Sequence, residues 1–472
     1  MKQVNSKGIV AAGHPETSRA AAIILEEGGN AFDAVLAAIY AASVVEPVLC
    51  SLGGGGFLLA RPGDKTASDG GGPVLYDFFT QTPKQKASGE ELDFFPIDAD
   101  FGAVTQEFHI GMASMAAPGT VKGLFQVHRD LCTKPMSRII EPALALARDG
   151  FTVNRLQAYL FQVVGPIYMS SPASREIFAS GDNPEDLKAE GEIMTNPDFA
   201  DTLDVLAREG EDLFYRGEIA ASIAEDCRER GGLLSIADFE GYQAHKRQPL
   251  CVDYRGVRLF TNPPPSTGGI LIAFALELLK DVDLKALGFG SADYVRRLAK
   301  VMELTNKARV DSGLHENADS LLDPEFLATY RAEVLGQPEA LRGTTHVSII
   351  DSGGNAASLT ISNGEGAGYI APGTGIMLNN MLGEEDINPA GFHRWPVDTR
   401  MCSMMSPSLA ADPGGNLIAF GSGGSNRIRT AILQVLINLL DFSMPAQDAV
   451  DAPRVHFENG LLNIEHGFDN GT

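Results

Sequence analysis

The sequence predicts an α/β fold in which sheets are covered by helices. Three observations predict it. Helical apolar spacing dominates about the first 340 of 472 residues. Strand-like alternation broken by turn residues marks the stretch that follows. A glycine-rich loop then opens a further helical pattern near the end of the chain.

Taken in order, "PETSRAAAIILEEGG" has Pro15 early, Glu16 in the first turn and Gly28-Gly29 as a stop. "AFDAVLAAIYAASVV", Ala31 to Val45, is the longest apolar stretch. It contains Asp33 and is shorter than the roughly 20 residues a membrane span requires, so it reads as a buried core helix. "SRIIEPALALARDG" and "NPDFADTLDVLAREG" are helices closed by glycine, and "SADYVRRLAKVMELTNKARVDSG" is a helix capped by Ser291 and ended by Gly313. "CVDYRGVRLFT" is extended. "HVSIID" from His346, the turn "SGGN" and "AASLTIS" form a hairpin, and "NLIAFG" is another strand. In the last helix, Ile428, Ala431, Ile432, Val435, Leu436, Leu439 and Leu440 are the expected core face. There is no internal repeat. The segment from about Glu316 to Gly343, rich in Pro, Gly, Glu and Arg, is the one candidate boundary.

Composition narrows the function classes. The chain is 44% hydrophobic and 21% charged, as expected of a folded chain with a full core. Its net charge of −24 repels phosphate backbones, which argues against a nucleic-acid partner. The five cysteines, Cys50, Cys132, Cys227, Cys251 and Cys402, are scattered and form no CxxC pair, which points to free thiols in a reducing compartment. The N-terminus has no apolar run of the signal-peptide kind, so a cytoplasmic location without membrane attachment is expected. No HxH or HExxH motif exists, and no metal or organic cofactor is expected.

Several stretches could hold chemistry. Gly53 to Gly56 lack the Lys-Ser/Thr of a phosphate loop, so tight backbone packing beside an active site is their expected role. His346 is read as a packed core histidine rather than a base. A Ser-His-Asp triad stays open, because its members need not be adjacent, but no GxSxG elbow supports one. In "GTTH" a threonine hydroxyl needs a nearby base. A free α-amine, with a pKa of about 8, can serve if the threonine begins a chain. Gly343 leaves its carbonyl open to attack by the Thr344 hydroxyl. "GSGGSNR" from Gly421 lies between a strand and a helix N-terminus, where backbone N–H groups could hold an oxyanion.

These stretches, with "NAFDAVLAAIYAASVVEPVLCSLGGGGFLL", "ASMAAPGTVKGL", "PALALARDGF", "NPPPSTGGI", "GFGSADYV", "GTTHVSIIDSGGNAASLTIS", "GTGIMLNN" and "SMMSPSL" in this order, resemble the γ-glutamyltranspeptidase family of N-terminal nucleophile hydrolases along nearly the whole chain. The resemblance implies an αββα four-layer sandwich. It also implies a precursor that cuts itself between Gly343 and Thr344 into a large fragment, 1–343, and a small one, 344–472. It implies Thr344 as nucleophile, its α-amine as base, and Ser362 as the hydroxyl contacting it. Gly424 and Ser425 fall at the oxyanion hole, where Ser425 replaces a glycine but keeps its N–H.

The substrate pocket departs from the family pattern. Phe79, in "YDFFTQTP", stands where the family has the arginine that grips the glutamyl carboxylate. Gly364 stands for an asparagine, Met381 for the polar residue after "LNN", and Met404 for one of two serines, leaving Ser403. Glu384 matches the acidic residue that holds the α-amino group. The expectation is a self-processing amide hydrolase acting on a small acyl substrate other than glutathione. The alternatives are a true γ-glutamyltransferase with a rebuilt pocket and a catalytically silent scaffold. Homo-oligomerisation beyond the two fragments is left open.

Overall fold

The computed structural model describes residues 7–63, 72–86, 92–100, 105–311, 321–322, 343–388, 390–458 and 460–468. The chain folds as two compact units, Met1–Arg247 with Arg342–Met401, and Gln248–Leu341 with Cys402–Thr472. The expected fragments 1–343 and 344–472 do not coincide with these units, since each unit draws on both. The candidate boundary from Glu316 to Gly343 lies almost wholly outside the described residues, as does Gly313.

The first unit is built on a six-stranded antiparallel sheet. Its order is Gly8–Ala12, Thr345–Asp351, Ala356–Ser362, Gly55–Arg61, Val74–Phe78 and His245–Arg247. The expected hairpin lies at its centre, with Ile350 opposite Ala356 across the turn. Gly354 takes a φ of +80°, and Asp351 Oδ1 accepts from the N–H groups of Gly353 and Asn355, so the turn closes on its own side chain.

Four of the six strands come from the first 247 residues, more than helical spacing there suggested. For one of them the reason is burial. "GGFLLAR" is buried along nearly its whole length and therefore shows no polar alternation to mark it as a strand.

Helix Ala31–Val45 packs against this sheet. Asn30 caps it, and Asp33 completes a capping box by accepting from the Asn30 N–H at 2.8 Å. Asp33 is fully buried and also takes the Thr133 N–H, the Thr133 hydroxyl and the Lys134 N–H at 2.7–2.9 Å. The one charge in the apolar run is thus a clamp between two chain segments. Among the described residues no helix is long and apolar enough to cross a membrane. All five cysteines are free.

The second unit holds a four-stranded antiparallel sheet, ordered Leu417–Phe420, Ser408–Ala411, Val257–Thr261, Leu250–Tyr254. Its helices include Gly268–Leu279, Ala292–Asp311 and Arg427–Leu440. Ser291 caps the second of these, its hydroxyl accepting from the Tyr294 N–H at 3.1 Å. In the third, Ile428, Ile432 and Leu436 are buried as expected, but Leu433 and Ile437 join them, while Ala431, Val435, Leu439 and Leu440 are only half-buried. The buried face is rotated because strand Val455–Glu458 covers the polar side. Gln434 exchanges two hydrogen bonds with the Val455 backbone at 2.7 and 2.8 Å, and Arg429 pairs with Glu458 at 3.2 Å. Polar groups are buried where hydrogen bonds or a charge partner meet them.

Candidate active site

The candidate nucleophile sits one residue before strand Thr345–Asp351, in the first unit. Successive side chains of a strand point to opposite faces, so Thr344 and Thr345 diverge. The Thr345 hydroxyl donates to Glu46 Oε2 at 2.8 Å, and Thr17 donates to Glu46 Oε1 at 2.7 Å. Burial pushes the Glu46 carboxyl above its ordinary value, and the two threonine donations oppose this. Glu46 lies directly before Pro47 at the end of helix Ala31–Val45 and ties the start of the nucleophile strand to that helix.

Two hydroxyls converge on the Gly343 carbonyl. Thr344 Oγ1 donates to it at 2.7 Å and Ser362 Oγ at 3.0 Å. Ser362 Oγ in turn accepts the Gly364 N–H at 3.0 Å. Ser362 ends the neighbouring strand, opposite Gly55. The tetraglycine run explains how the strands come this close. A Cβ on Gly54 would lie 2.3 Å from the Ser362 carbonyl oxygen, and one on Gly56 2.4 Å from that of Thr360. The Gly54 carbonyl is itself taken by the N–H groups of Gly119 and Thr120. The run is a packing element beside Ser362.

His346 is a packed residue. Its Nδ1 meets the Thr360 hydroxyl and its Nε2 the Ser348 hydroxyl, both at 2.8 Å. Burial holds its pKa at about 3, so the ring is neutral at physiological pH.

The expected pocket residues fall into two groups. In the first unit, Gly364 adopts a φ of +67°, and a Cβ there would lie 2.2 Å from Asn380 Oδ1 and 2.9 Å from Glu384 Oε1. An asparagine side chain would have no room. Met381 is buried in a single 3₁₀ turn, and Glu384, also buried, follows that turn. Phe79 is in the core, its ring stacked on Phe57 at 5.6 Å. A nearby cation, Arg400, donates to the Phe79 carbonyl, the Tyr242 hydroxyl and the Gln243 carbonyl, and it pairs with Asp77 at 3.5 Å. It is engaged by the protein itself.

The second group belongs to the second unit. The Ser403 carbonyl accepts from the Thr267 N–H at 3.0 Å and the Ser266 hydroxyl at 2.9 Å, and Met404 is buried beside it. Gly424 has a φ of +109° and Ser425 a φ of +48°. Their carbonyls accept from the N–H groups of Arg427 and Ile428 at 3.0 Å, so the loop turns directly into helix Arg427–Leu440.

Two features escaped sequence reasoning. Glu365 accepts the Gly343 N–H at 2.9 Å on Oε1, and nothing in the local pattern marks it. Half-buried rings of Phe94, His109, Phe392 and His393 cluster with centroids 4.4–5.4 Å apart, and the His109 carbonyl accepts from Asn380 Nδ2 at 3.3 Å. These rings come from two distant segments, so no spacing predicts them.

A family model described as Gamma-glutamyltranspeptidase matches residues 17–472. The chain is similar to the glutathione hydrolase proenzyme of Escherichia coli (strain K12), at 31% identity over 99% of this chain and 84% of the relative. It is similar to the acylase ACY 1 proenzyme of Pseudomonas sp. (strain V22), at 30% identity over 98% of this chain and 84% of the relative. The cephalosporin acylase of Bacillus halodurans shares its fold with a TM-score of 0.83, at 24% identity over 98% of this chain and 86% of that one. The γ-glutamyltranspeptidase of Helicobacter pylori aligns with a TM-score of 0.59, at 26% identity over 72% of this chain and 94% of that one. The fold class is the N-terminal nucleophile α/β fold, and the chain belongs to the gamma-glutamyltranspeptidase family.

Proposed function

We propose that this chain, an enzyme of the gamma-glutamyltranspeptidase family, is a self-processing N-terminal threonine amidohydrolase acting on small acyl amides. The observation that supports this most is the pair of hydroxyls on one carbonyl, Thr344 at 2.7 Å and Ser362 at 3.0 Å from the Gly343 oxygen. Ser362 draws electron density from the carbonyl carbon, and the Thr344 hydroxyl lies against the carbonyl it must attack. The C–N bond to Thr344 then breaks, and the nitrogen takes up the hydroxyl's proton. Water hydrolyses the resulting ester and leaves a free α-amine. In the mature enzyme that amine accepts the Thr344 proton, the hydroxyl attacks the substrate carbonyl, and the proton passes to the leaving amine. Water resolves the acyl-enzyme.

Phe79 is in the core, and Phe79, Gly364 and Met381 stand at positions where the resemblance expects polar or charged groups of a carboxylate clamp, which supports acyl groups without that carboxylate. A relative named as an acylase is in keeping with acyl groups other than γ-glutamyl. γ-Glutamyl transfer is the second reading, favoured by Glu384 beside Gly364 and by the relatives named glutathione hydrolase. Intact-mass spectrometry tests self-processing. Wild type is expected as fragments of about 36.5 and 13.7 kDa, scaled by length from 50.2 kDa. Thr344→Ala is expected as one inactive chain, and Thr344→Ser as a slowly cleaved one. An active wild-type enzyme that stays at 50.2 kDa would refute the reading.

A further inference from the structure

We infer that Glu365 sets substrate specificity by binding an N–H donor on the α-atom of the acyl group, so that the preferred substrates are small α-aminoacyl amides. This rests on the proposed cleavage between Gly343 and Thr344.

Glu365 is 2% exposed, and its backbone is fixed by donation to Asn380 Oδ1 at 2.9 Å. In the uncut chain its Oε1 accepts the Gly343 N–H at 2.9 Å. A Cβ added to Gly343 would meet Oε2 at 3.1 Å and Oε1 at 3.4 Å, so both carboxylate oxygens face residue 343. The chain itself thus displays one acyl group in contact with Glu365. That group is a glycyl unit, whose nitrogen stands two bonds from the carbon that Thr344 attacks.

The ester formed during self-cleavage and the acyl-enzyme formed from an α-aminoacyl amide are chemically alike. Each is an α-nitrogen-bearing acyl group on Thr344 Oγ1. Cleavage also converts Gly343 from an amide into a carboxylate, next to the carboxylate of Glu365. The cut end is no longer tethered to Thr344 and can leave the site. What leaves with it is the N–H that Glu365 held. An incoming ammonium restores that bond and adds charge pairing, which strengthens a hydrogen bond to a carboxylate. A γ-glutamyl group carries its ammonium four bonds from the reacting carbon and cannot reach Glu365 in the same pose. The close approach of Glu365 to the α-carbon also favours small acyl groups.

The test uses processed wild-type enzyme and Glu365→Gln, each first checked by intact mass and by electrophile labelling of Thr344. Glycyl p-nitroanilide is compared with acetyl p-nitroanilide, which differs by the amino group alone. Wild type is expected to favour the glycyl compound in kcat/KM by at least about 10-fold, the worth of one hydrogen bond to a charged group. Glu365→Gln is expected to lose most of that preference, read as the ratio of kcat/KM on the two anilides. Equal turnover of the two anilides by wild type, no turnover of the glycyl compound, or an equal fall on both in Glu365→Gln, each overturns the assignment. If Glu365→Gln does not process, the wild-type ratio alone decides. Absence of cleavage in wild type defeats the functional reading, and it is seen before substrate is added. A cut, labelled enzyme that ignores the amino group defeats only the role of Glu365.

Discussion

Replacing His346 should remove a specific part of the protein's acid sensitivity. In the unfolded chain this histidine has its ordinary value of 6.5, and burial lowers it to about 3 in the fold. Below pH 6.5 the unfolded chain therefore binds a proton that the folded chain refuses until about pH 3. The stability from this group is fully present above 6.5 and is lost as pH falls. One pH unit is worth about 1.4 kcal/mol, so the loss at about pH 5 is about 2 kcal/mol. That figure is a ceiling, because the residue keeps some solvent exposure. His346→Asn cannot titrate, yet it retains a donor and an acceptor toward the Thr360 and Ser348 hydroxyls. Calorimetric midpoints of both proteins at about pH 8 and about pH 5 isolate the effect, since the other groups cancel in the difference of differences. The variant should be less stable at the higher pH, from lost packing. It should then lose less on acidification, by up to about 2 kcal/mol. Identical acid losses in the two proteins would refute the reasoning, as would a native imidazole titrating near 6.5 by NMR.

Ser362→Ala removes one of the two donors on the Gly343 carbonyl, so self-cleavage should slow by about 10²-fold. The half-time for conversion of the 50.2 kDa chain measures this, and an unchanged half-time contradicts the assigned role. Asp33→Asn places an amide where four donors converge on a buried carboxylate. It should destabilise the first unit by roughly 1–3 kcal/mol. A loss under about 1 kcal/mol in denaturant titrations would show that the clamp tolerates a neutral group.

Local signals in the sequence determined the helices, the central hairpin and the threonine at its start. Asn30 and Asp33 stand three residues apart and close a capping box, Ser291 caps its helix, and "SGGN" makes its turn from adjacent residues. Such features depend on backbone hydrogen bonds that span only a few positions, so a short window of residues contains them. The motif order along the chain was likewise legible, because each motif is contiguous. Other features only the tertiary structure decided. "GGFLLAR" is a central strand because neighbours cover both of its faces, which erases the alternation that would have announced it. The buried face of helix Arg427–Leu440 is turned by Val455–Glu458, a strand the helix's own spacing cannot anticipate. Thr345 finds its acceptor in Glu46, 299 residues away, and Gly343 finds Glu365 across a hairpin, 22 residues on. A side chain's environment is the sum of partners brought from distant segments, and only the folded chain brings them together.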